Sequence, residues 1–277
     1  MAATKKKNSA RLDVLVAERA GCSRERAQVL ILGGRVRVGG AIQTKAGALV
    51  DADVILEVQD DARFVGRGGL KLERALKAFD WSVDGLRCLD VGASTGGFTD
   101  CLLKRGAASV TAVDVGYGQI AWSLRTDPRV IVFERCNFRT ADVAEFGEPF
   151  AFVCADVSFI SLAKLCANFA AALVPGGRAV VLIKPQFEAG RTSVERGGVV
   201  RDPHAQAAAI AGVMASFAAV GLTPLRLTHS PIKGPAGNIE FLLGAARVRT
   251  SDPCDEAETA ALDAAGAVRR AHEALDA

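Results

Sequence analysis

The 277-residue chain has no apolar run of about 18 residues free of charges and breaks, so no membrane-spanning helix is expected. The opening Met1-Ala-Ala-Thr-Lys-Lys-Lys-Asn8 carries charge but no apolar stretch behind it. No signal peptide is expected, and the cytoplasm is the expected compartment. The seven cysteines (22, 88, 101, 136, 154, 166 and 254) form no CxxC pair, are odd in number and mostly sit among apolar residues. Structural zinc and disulfides are therefore not expected; buried, reduced thiols are. No internal repeat is visible.

What is present suits a soluble protein of two domains. Half of the residues are hydrophobic and 23% are charged, enough to bury a sizeable core. The net charge of +3 is unevenly placed. Residues 1–47 hold ten Lys/Arg against three Asp/Glu, whereas residues 78–277 hold 19 against 22. A basic head on a slightly acidic body suits a polyanionic partner. Charge alone leaves open that the head merely carries spare lysines.

Residues 1–61 read as a small α+β domain. Leu12, Leu15, Val16 and Arg19 follow helical spacing. Ser23 can cap a second helix, Arg24 to Leu32, which buries Ala27, Leu30 and Ile31 and stops at Gly33-Gly34. Val36 and Val38 alternate with Arg35 and Arg37, predicting a strand that shows its arginines to solvent, and residues 54–58 predict another. Asp60-Asp61-Ala62 closes this unit. Residues 62–69, rich in Gly and Arg, read as a linker. A helix follows with Leu72, Ala75, Leu76 and Phe79 on one face and Lys71 and Arg74 on another.

From residue 70 to 250, strands and helices alternate. Strands are expected at 87–91, 109–113, 130–133, 150–155, 178–183, 225–229 and 239–244. Helices are expected near 98–105, 118–124, 160–173 and 204–220. Repeated βα units imply a mostly parallel α/β sheet covered on both faces. The last two strands are joined without a helix, predicting an antiparallel edge hairpin. The Ala-rich tail, 251–277, is expected to be helical and peripheral.

Leu89-Asp90-Val91-Gly92-Ala93-Ser94-Thr95-Gly96-Gly97-Phe98 reads as a strand, a small-residue turn and a helix start, where glycines expose amides to a ligand. Asp114 follows at the end of the next strand, where a carboxylate can accept from ribose hydroxyls. The pattern is not G-x-G-x-x-G, because Ser94 stands where the glycine that admits a pyrophosphate would be. This disfavours NAD and favours S-adenosylmethionine as cofactor. A ligand-free Gly-rich turn is the bland alternative. Asn137, after the third strand, either contacts adenine or caps its own loop. Asp156 and Lys184 end two later strands, where open α/β sheets bind ligands, and Glu240 lies in an apolar strand. Each alone also suits a local salt bridge.

These motifs together resemble the TlyA family of rRNA 2′-O-methyltransferases, also called hemolysin A, over nearly the whole chain. Arg11-Leu-Asp13, Ser23-Arg24-x-x-Ala27 and Gly34-Arg-Val-Arg-Val38-x-Gly40 resemble an S4 RNA-binding domain. Gly92-Ala-Ser-Thr-Gly-Gly-Phe-Thr99, Asp114-Val-Gly-Tyr-Gly-Gln119, Asp156-Val-Ser-Phe-Ile-Ser-Leu162 and Lys184-Pro-Gln-Phe-Glu188 resemble the family's methyltransferase signatures. The resemblance implies a class I, Rossmann-like methyltransferase fold behind an S4 domain. It implies S-adenosylmethionine bound around Asp90, Gly92, Ser94, Thr95, Gly96, Gly97, Phe98, Asp114 and Asn137. The Lys-Asp-Lys-Glu tetrad shared with FtsJ-type enzymes falls on Lys71, Asp156, Lys184 and Glu240. Arg11, Arg24, Arg35, Arg37, Lys45, Arg63 and Arg67 are the expected RNA contacts. The implied substrates are cytidines of 16S and 23S rRNA, both subunits if the terminal extensions mark the longer subtype, and the expected enzyme is monomeric. The linker departs from the family at Phe64, where relatives carry Trp.

A ribose 2′-hydroxyl is a weak nucleophile, so the enzyme must align it and assist loss of its proton. A neutral Lys184 serves as base; a charged one stabilises the developing alkoxide. Lys71 adds positive field, and Asp156 and Glu240 orient the lysines. Three rivals remain. A base- or protein-directed methyltransferase is one, although base-amino enzymes carry Asn/Asp-Pro-Pro-aromatic where this chain has Asp156-Val-Ser-Phe159. A membrane-damaging hemolysin would need an apolar segment that is not seen. A non-catalytic RNA binder would not need the tetrad.

Overall fold

The computed structural model describes residues 9–22, 24–58, 63–248 and 262–276, and it divides into two units, Met1–Arg67 and Gly68–Ala277. The first unit contains β1 (Ser9–Arg11), α1 (Leu12–Ala20), α2 (Arg24–Leu32), β2 (Val36–Val38), β3 (Ala41–Ile42), β4 (Leu49–Asp51) and β5 (Leu56–Val58). Strand β1 pairs antiparallel with β4, and a second small sheet runs β3-β2-β5. Leu12, Val16, Ala27, Leu30, Ile31 and Val36 form its core. The first five are positions that helical spacing marks, and Val36 is the one that strand alternation marks. The Ser23 cap and the Asp60-Asp61-Ala62 closure lie outside the described residues.

Two expectations for this unit need correction. The strand expected at 54–58 begins only at Leu56, because the Val54 N–H closes a turn on the Asp51 carbonyl at 3.0 Å and leaves Ile55 exposed. Arg35 is 4% exposed rather than solvent-facing. Its N–H still bonds the Leu30 carbonyl, at 2.9 Å, so the residue belongs to the turn that ends α2 and not yet to the strand. Strand alternation does not govern it.

In the second unit, α3 (Gly68–Phe79) begins inside the expected linker, which it shortens to end at Arg67. There follow β6 (Arg87–Val91), α4 (Gly97–Lys104), β7 (Ser109–Val113), α5 (Trp122–Arg125), β8 (Val130–Phe133), β9 (Phe150–Ala155), α6 (Cys166–Ala172), β10 (Leu173–Ile183), α7 (Pro185–Glu188), α8 (Pro203–Ala218), β11 (Leu222–His229), β12 (Phe241–Arg247) and α9 (Ala264–Leu275). Their sheet has the order β11-β12-β10-β9-β6-β7-β8. Its β10-β9-β6-β7-β8 pairings are parallel, and β12 runs antiparallel to both β11 and β10. The predicted hairpin is thus present, with β12 inserted one strand in from the edge. The helix expected at 118–124 shrinks to Trp122–Arg125, and that expected at 160–173 splits into a 3-10 turn (Leu162–Lys164) and α6. Among the described residues no helix is long and apolar enough to cross a membrane.

Side-chain alternation divides this sheet into two faces. Leu89, Val153, Ala155, Val181, Ile183, Leu243 and Ala245 pack with Phe169 of α6, Ile210, Val213 and Phe217 of α8, and Val268 and Ala271 of α9. The tail helix is therefore not peripheral. Its Val268 and Ala271 are buried in the main core, and Ala267 is buried as well. The opposite face receives α3 and α4. There Gly244 lies under Phe79 and Trp81, so close that a Cβ would come within 2.8 Å of the Trp81 ring.

Candidate active site

Period-two alternation brings the catalytic candidates together. On β9, Val153 and Ala155 point into the core beneath α8, so Asp156 just beyond falls on the α3 side. By the same count Lys184 leaves β10 on the α3 side, as does Glu240 ahead of β12. Glu240 was expected within its strand, but the strand begins one residue later, at Phe241. The Ile183–Phe241 pairing in the antiparallel ladder sets the ends of β10 and β12 side by side. Helix α3 crosses this face and brings Lys71, which is buried and not on a solvent face.

The four side chains form one ionic chain. Lys71 Nζ lies 2.7 Å from Glu240 Oε2 and 3.5 Å from Asp156 Oδ2, and Lys184 Nζ lies 2.6 Å from Asp156 Oδ1. Lys184 also donates to Ser158 Oγ at 2.8 Å. Glu240 is 1% exposed, and Lys71 and Lys184 are nearly as buried, whereas Asp156 retains some access to solvent. Burial pushes the Asp156 carboxyl up, but the facing charges of Lys71 and Lys184 outweigh that and hold it below the ordinary carboxylate range. Pro185 at the first position of α7 turns the chain directly after Lys184. Glu188, at the end of α7, accepts from Ser161 Oγ at 2.7 Å and the Leu162 N–H at 2.9 Å. It thereby ties the Lys184 turn to the loop that follows Asp156.

A cleft of about 480 Å³ opens beside this chain. Gly92, Ser94, Asp114, Asn137 and Asp156 line it, with Val113, Phe138, Ile160 and Leu165 as apolar walls. Asp114 accepts from the Ser94 N–H at 2.8 Å and the Gly116 N–H at 2.6 Å, which fixes its carboxylate at the rim. Ser94 itself adopts φ +49°, the left-handed conformation for which glycine is the usual choice. At Gly92 (φ +80°) a Cβ would sit 2.8 Å from the Asp156 carbonyl oxygen, so only glycine lets β6 and β9 close there. A fixed carboxylate for a ribose diol, beside apolar walls for a purine, fits the nucleoside half of S-adenosylmethionine.

Not every expected cofactor residue reaches this cleft. Asp90 is fully buried beneath it and accepts from Thr99 Oγ1 at 2.6 Å; burial raises its carboxyl to about 7. Thr95, Gly96, Gly97 and Phe98 are also buried and line the back of the turn rather than the cleft. Their packing shapes the loop. Gly96, for example, faces Leu124 so closely that a Cβ would come within 2.3 Å of it. Asn137 lines the cleft while its Oδ1 accepts from the Arg139 N–H at 3.1 Å, so cap and contact are compatible. Ser158 and Phe159 join the site although neither is among the residues expected there. Phe159 is 91% exposed at φ +65°, 5.2 Å from the Phe187 ring. The available signal was their place in the Asp156-Val-Ser-Phe159 run.

In the first unit, Arg11 and Arg24 both clasp the buried Asp13, at 2.9 and 3.0 Å, and Gln28 adds a third bond at 3.1 Å. Hydrogen bonding from Arg11, more than any other contact, holds the Asp13 carboxyl far below its ordinary range. The two guanidiniums remain about half exposed, at 48% and 51%. The Lys45 loop joins them, since the Asp13 N–H bonds the Ala46 carbonyl at 3.0 Å. Arg37 donates to the Gly40 carbonyl at 2.8 Å, and Arg63 is exposed beside the Phe64 ring. Arg67 packs along Gly34, and the buried Arg35 is removed from the expected face.

The second unit is a methyltransferase: residues 64–247 match the FtsJ-like methyltransferase family, to which the chain belongs, and its cofactor is S-adenosylmethionine. Residues 10–56 match the S4 domain. The chain is 49% identical to "Putative rRNA methyltransferase YqxC" of Bacillus subtilis, with 84% of each chain covered. It is 47% identical to the 16S/23S rRNA (cytidine-2′-O)-methyltransferase TlyA of Mycobacterium tuberculosis, covering 80% of this chain and 83% of that one. A solved structure titled "Putative hemolysin from Streptococcus thermophilus" superimposes with TM-score 0.75 at 38% identity, covering 97% of this chain and 98% of the other.

Proposed function

We propose that the chain methylates ribose 2′-hydroxyls of ribosomal RNA, at cytidines of 16S rRNA, 23S rRNA or both. The observation that carries this reading is the ionic chain Glu240–Lys71–Asp156–Lys184 at the mouth of the cleft, in a chain similar to rRNA cytidine-2′-O-methyltransferases. When bound, S-adenosylmethionine supplies a methyl group already activated on a sulfonium. The protein's task is then to align a hydroxyl and handle its proton. Lys184 ends the ionic chain next to Ser158 and the cleft, where its ammonium stabilises the oxygen as negative charge develops while the hydroxyl's proton passes to water at the solvent-accessible Asp156 end. Lys71 reinforces that field from the buried side, and Asp156 and Glu240 hold the two cations apart and in place. Asp114, Gly92 and Asn137 hold the cofactor's nucleoside. Phe159 offers an exposed ring on which a splayed-out base can stack. Acid–base or charge assistance is worth roughly 3–5 kcal/mol, and alignment up to about 7–11 kcal/mol in ideal cases. Losing correct RNA placement therefore costs as much as losing a lysine.

Arg11, Arg24 and Lys45 of the S4 unit are the proposed phosphate anchors, with Arg37, Arg63 and Arg67 as secondary contacts. Phosphate contacts set register without reading sequence. The deciding experiment maps ribose methylation in 16S and 23S rRNA with and without the gene and repeats transfer in vitro on an RNA carrying 2′-deoxycytidine at the mapped site. Loss of transfer to the deoxy substrate is expected. Methylation that survives there places the methyl on a base and rejects the reading.

A further inference from the structure

Glu240 must stay buried 2.7 Å from Lys71, yet it sits at the end of an irregular loop, residues 230–240. The Ser230 N–H bonds the Glu240 carbonyl at 2.8 Å, and a buried polar relay outside the ionic chain adds a second hold on that loop. Asn238, fully enclosed, donates from Nδ2 to the Gly198 carbonyl at 2.8 Å and accepts the Val200 N–H on Oδ1 at 2.9 Å. Gln206, equally enclosed on α8, donates from Nε2 to the Val200 carbonyl at 2.8 Å. With its Nε2 so committed, Gln206 Oε1 faces His272 of α9, whose two ring nitrogens lie 3.0 Å from that oxygen and 2.7 Å from Asp276 Oδ2. Asp276 Oδ1 in turn lies 2.5 Å from Lys233, which stands in the same loop as Glu240. Gly234 leaves Glu240 its space: a Cβ there would sit 2.6 Å from Glu240 Oε1.

We propose that Gln206, braced by His272, is a positioning residue for methyl transfer: it pins Val200, and through Val200 and Asn238 it fixes the backbone that presents Glu240 to Lys71. The inference rests on the catalytic assignment of Glu240. A buried amide whose two ends hold a backbone carbonyl and a second helix has little freedom, and losing it leaves the Val200 carbonyl buried without that donor. The segment it holds can then shift, and small displacements of groups near a reacting centre are costly in rate.

The test measures single-turnover transfer to the mapped rRNA substrate, S-adenosylmethionine affinity and melting temperature in Gln206→Leu, Glu240→Gln and the double variant. Gln206→Leu is expected to slow transfer about tenfold with cofactor and RNA affinity within about twofold of wild type. In the Glu240→Gln background the same substitution is expected to cost less than about twofold, because the group it positions is gone. Should Gln206→Leu not fold, His272→Ala at the outer end of the relay is expected to give a smaller slowing with the same loss of effect in the Glu240→Gln background. Independent, multiplicative losses overturn the inference while leaving the catalytic reading intact, as does a Gln206→Leu enzyme of wild-type rate. A Glu240→Gln enzyme of wild-type rate overturns both.

Discussion

Lys71 and Lys184 are chemically alike, but the structure predicts that their removal has different consequences. Lys71 is the cation 2.7 Å from Glu240, which is 1% exposed. Lys71→Ala leaves that carboxylate buried and uncompensated, a change that costs roughly 3–5 kcal/mol. Lys184→Ala removes one of two cations from Asp156, which keeps Lys71 at 3.5 Å and is one-fifth exposed, so water can take over part of the task. At about 2–4 °C per kcal/mol for a unit of this size, Lys71→Ala should melt roughly 6–20 °C lower, and Lys184→Ala within about 3 °C of wild type. Both should lose transfer. The double variant Lys71→Met, Glu240→Gln, which buries no net charge, should recover most of the lost melting temperature and none of the activity. The assays are a thermal melt followed by circular dichroism and single-turnover transfer with radiolabelled S-adenosylmethionine. If Lys71→Ala melts with wild type, or Lys184→Ala destabilises as much as Lys71→Ala, the asymmetry drawn from burial is wrong. A tenth or more of wild-type rate in Lys184→Ala removes that lysine from its proposed role.

Asp114→Ala should weaken S-adenosylmethionine binding by about 1–3 kcal/mol in calorimetry, with cofactor-free RNA binding retained; an unchanged dissociation constant refutes the ribose-contact role. In the S4 unit, Arg24→Ala with Lys45→Ala should flatten the log–log salt dependence of ribosomal-subunit binding by about two units, one per lost phosphate contact. Alanine is preferred to charge reversal because a glutamate at position 24 would face the buried Asp13 and damage the fold. A salt slope equal to wild type moves the anchor elsewhere. Asp90 binds its proton more tightly folded than unfolded, since burial raises its carboxyl to about 7. Its contribution is fully present below the unfolded value and is lost as pH rises toward and through 7. Chemical denaturation at pH 5 and pH 8 should therefore show the stability of wild type relative to Asp90→Asn falling by roughly 1–3 kcal/mol; a pH-independent difference contradicts the raised carboxyl.

Much of this protein was legible before any coordinates. The strands at Arg87–Val91, Ser109–Val113, Val130–Phe133 and Phe150–Ala155 stand where apolar runs between turn residues place them. Asp156 and Lys184 likewise stand just past the carboxyl ends of β9 and β10, where their place after apolar strand residues puts them. The extent of irregular segments was not legible. The spacing of residues 118–121 suits a helix, yet they form an irregular loop whose Gly118 N–H donates to Glu134, just past β8. The alanines of α9 read as a surface tail because no local rule says which apolar face finds a partner; contact with α8 and β11 decided that. Spacing alone makes Arg35 a solvent-facing cation, since it cannot tell the turn after a helix from the first residue of a strand; the bond from its N–H to Leu30 does. Residue types and spacing thus determined the elements, the turn that brings Gly92 and Asp114 together and the inventory of charged groups. Only the tertiary structure decided that Lys71 is buried, that Asp90 lies behind the cleft and that Asp13 holds Arg11 and Arg24. Burial and pairing of charge depend on which distant segments exclude water together, and that is a property of the packed chain rather than of any stretch of it.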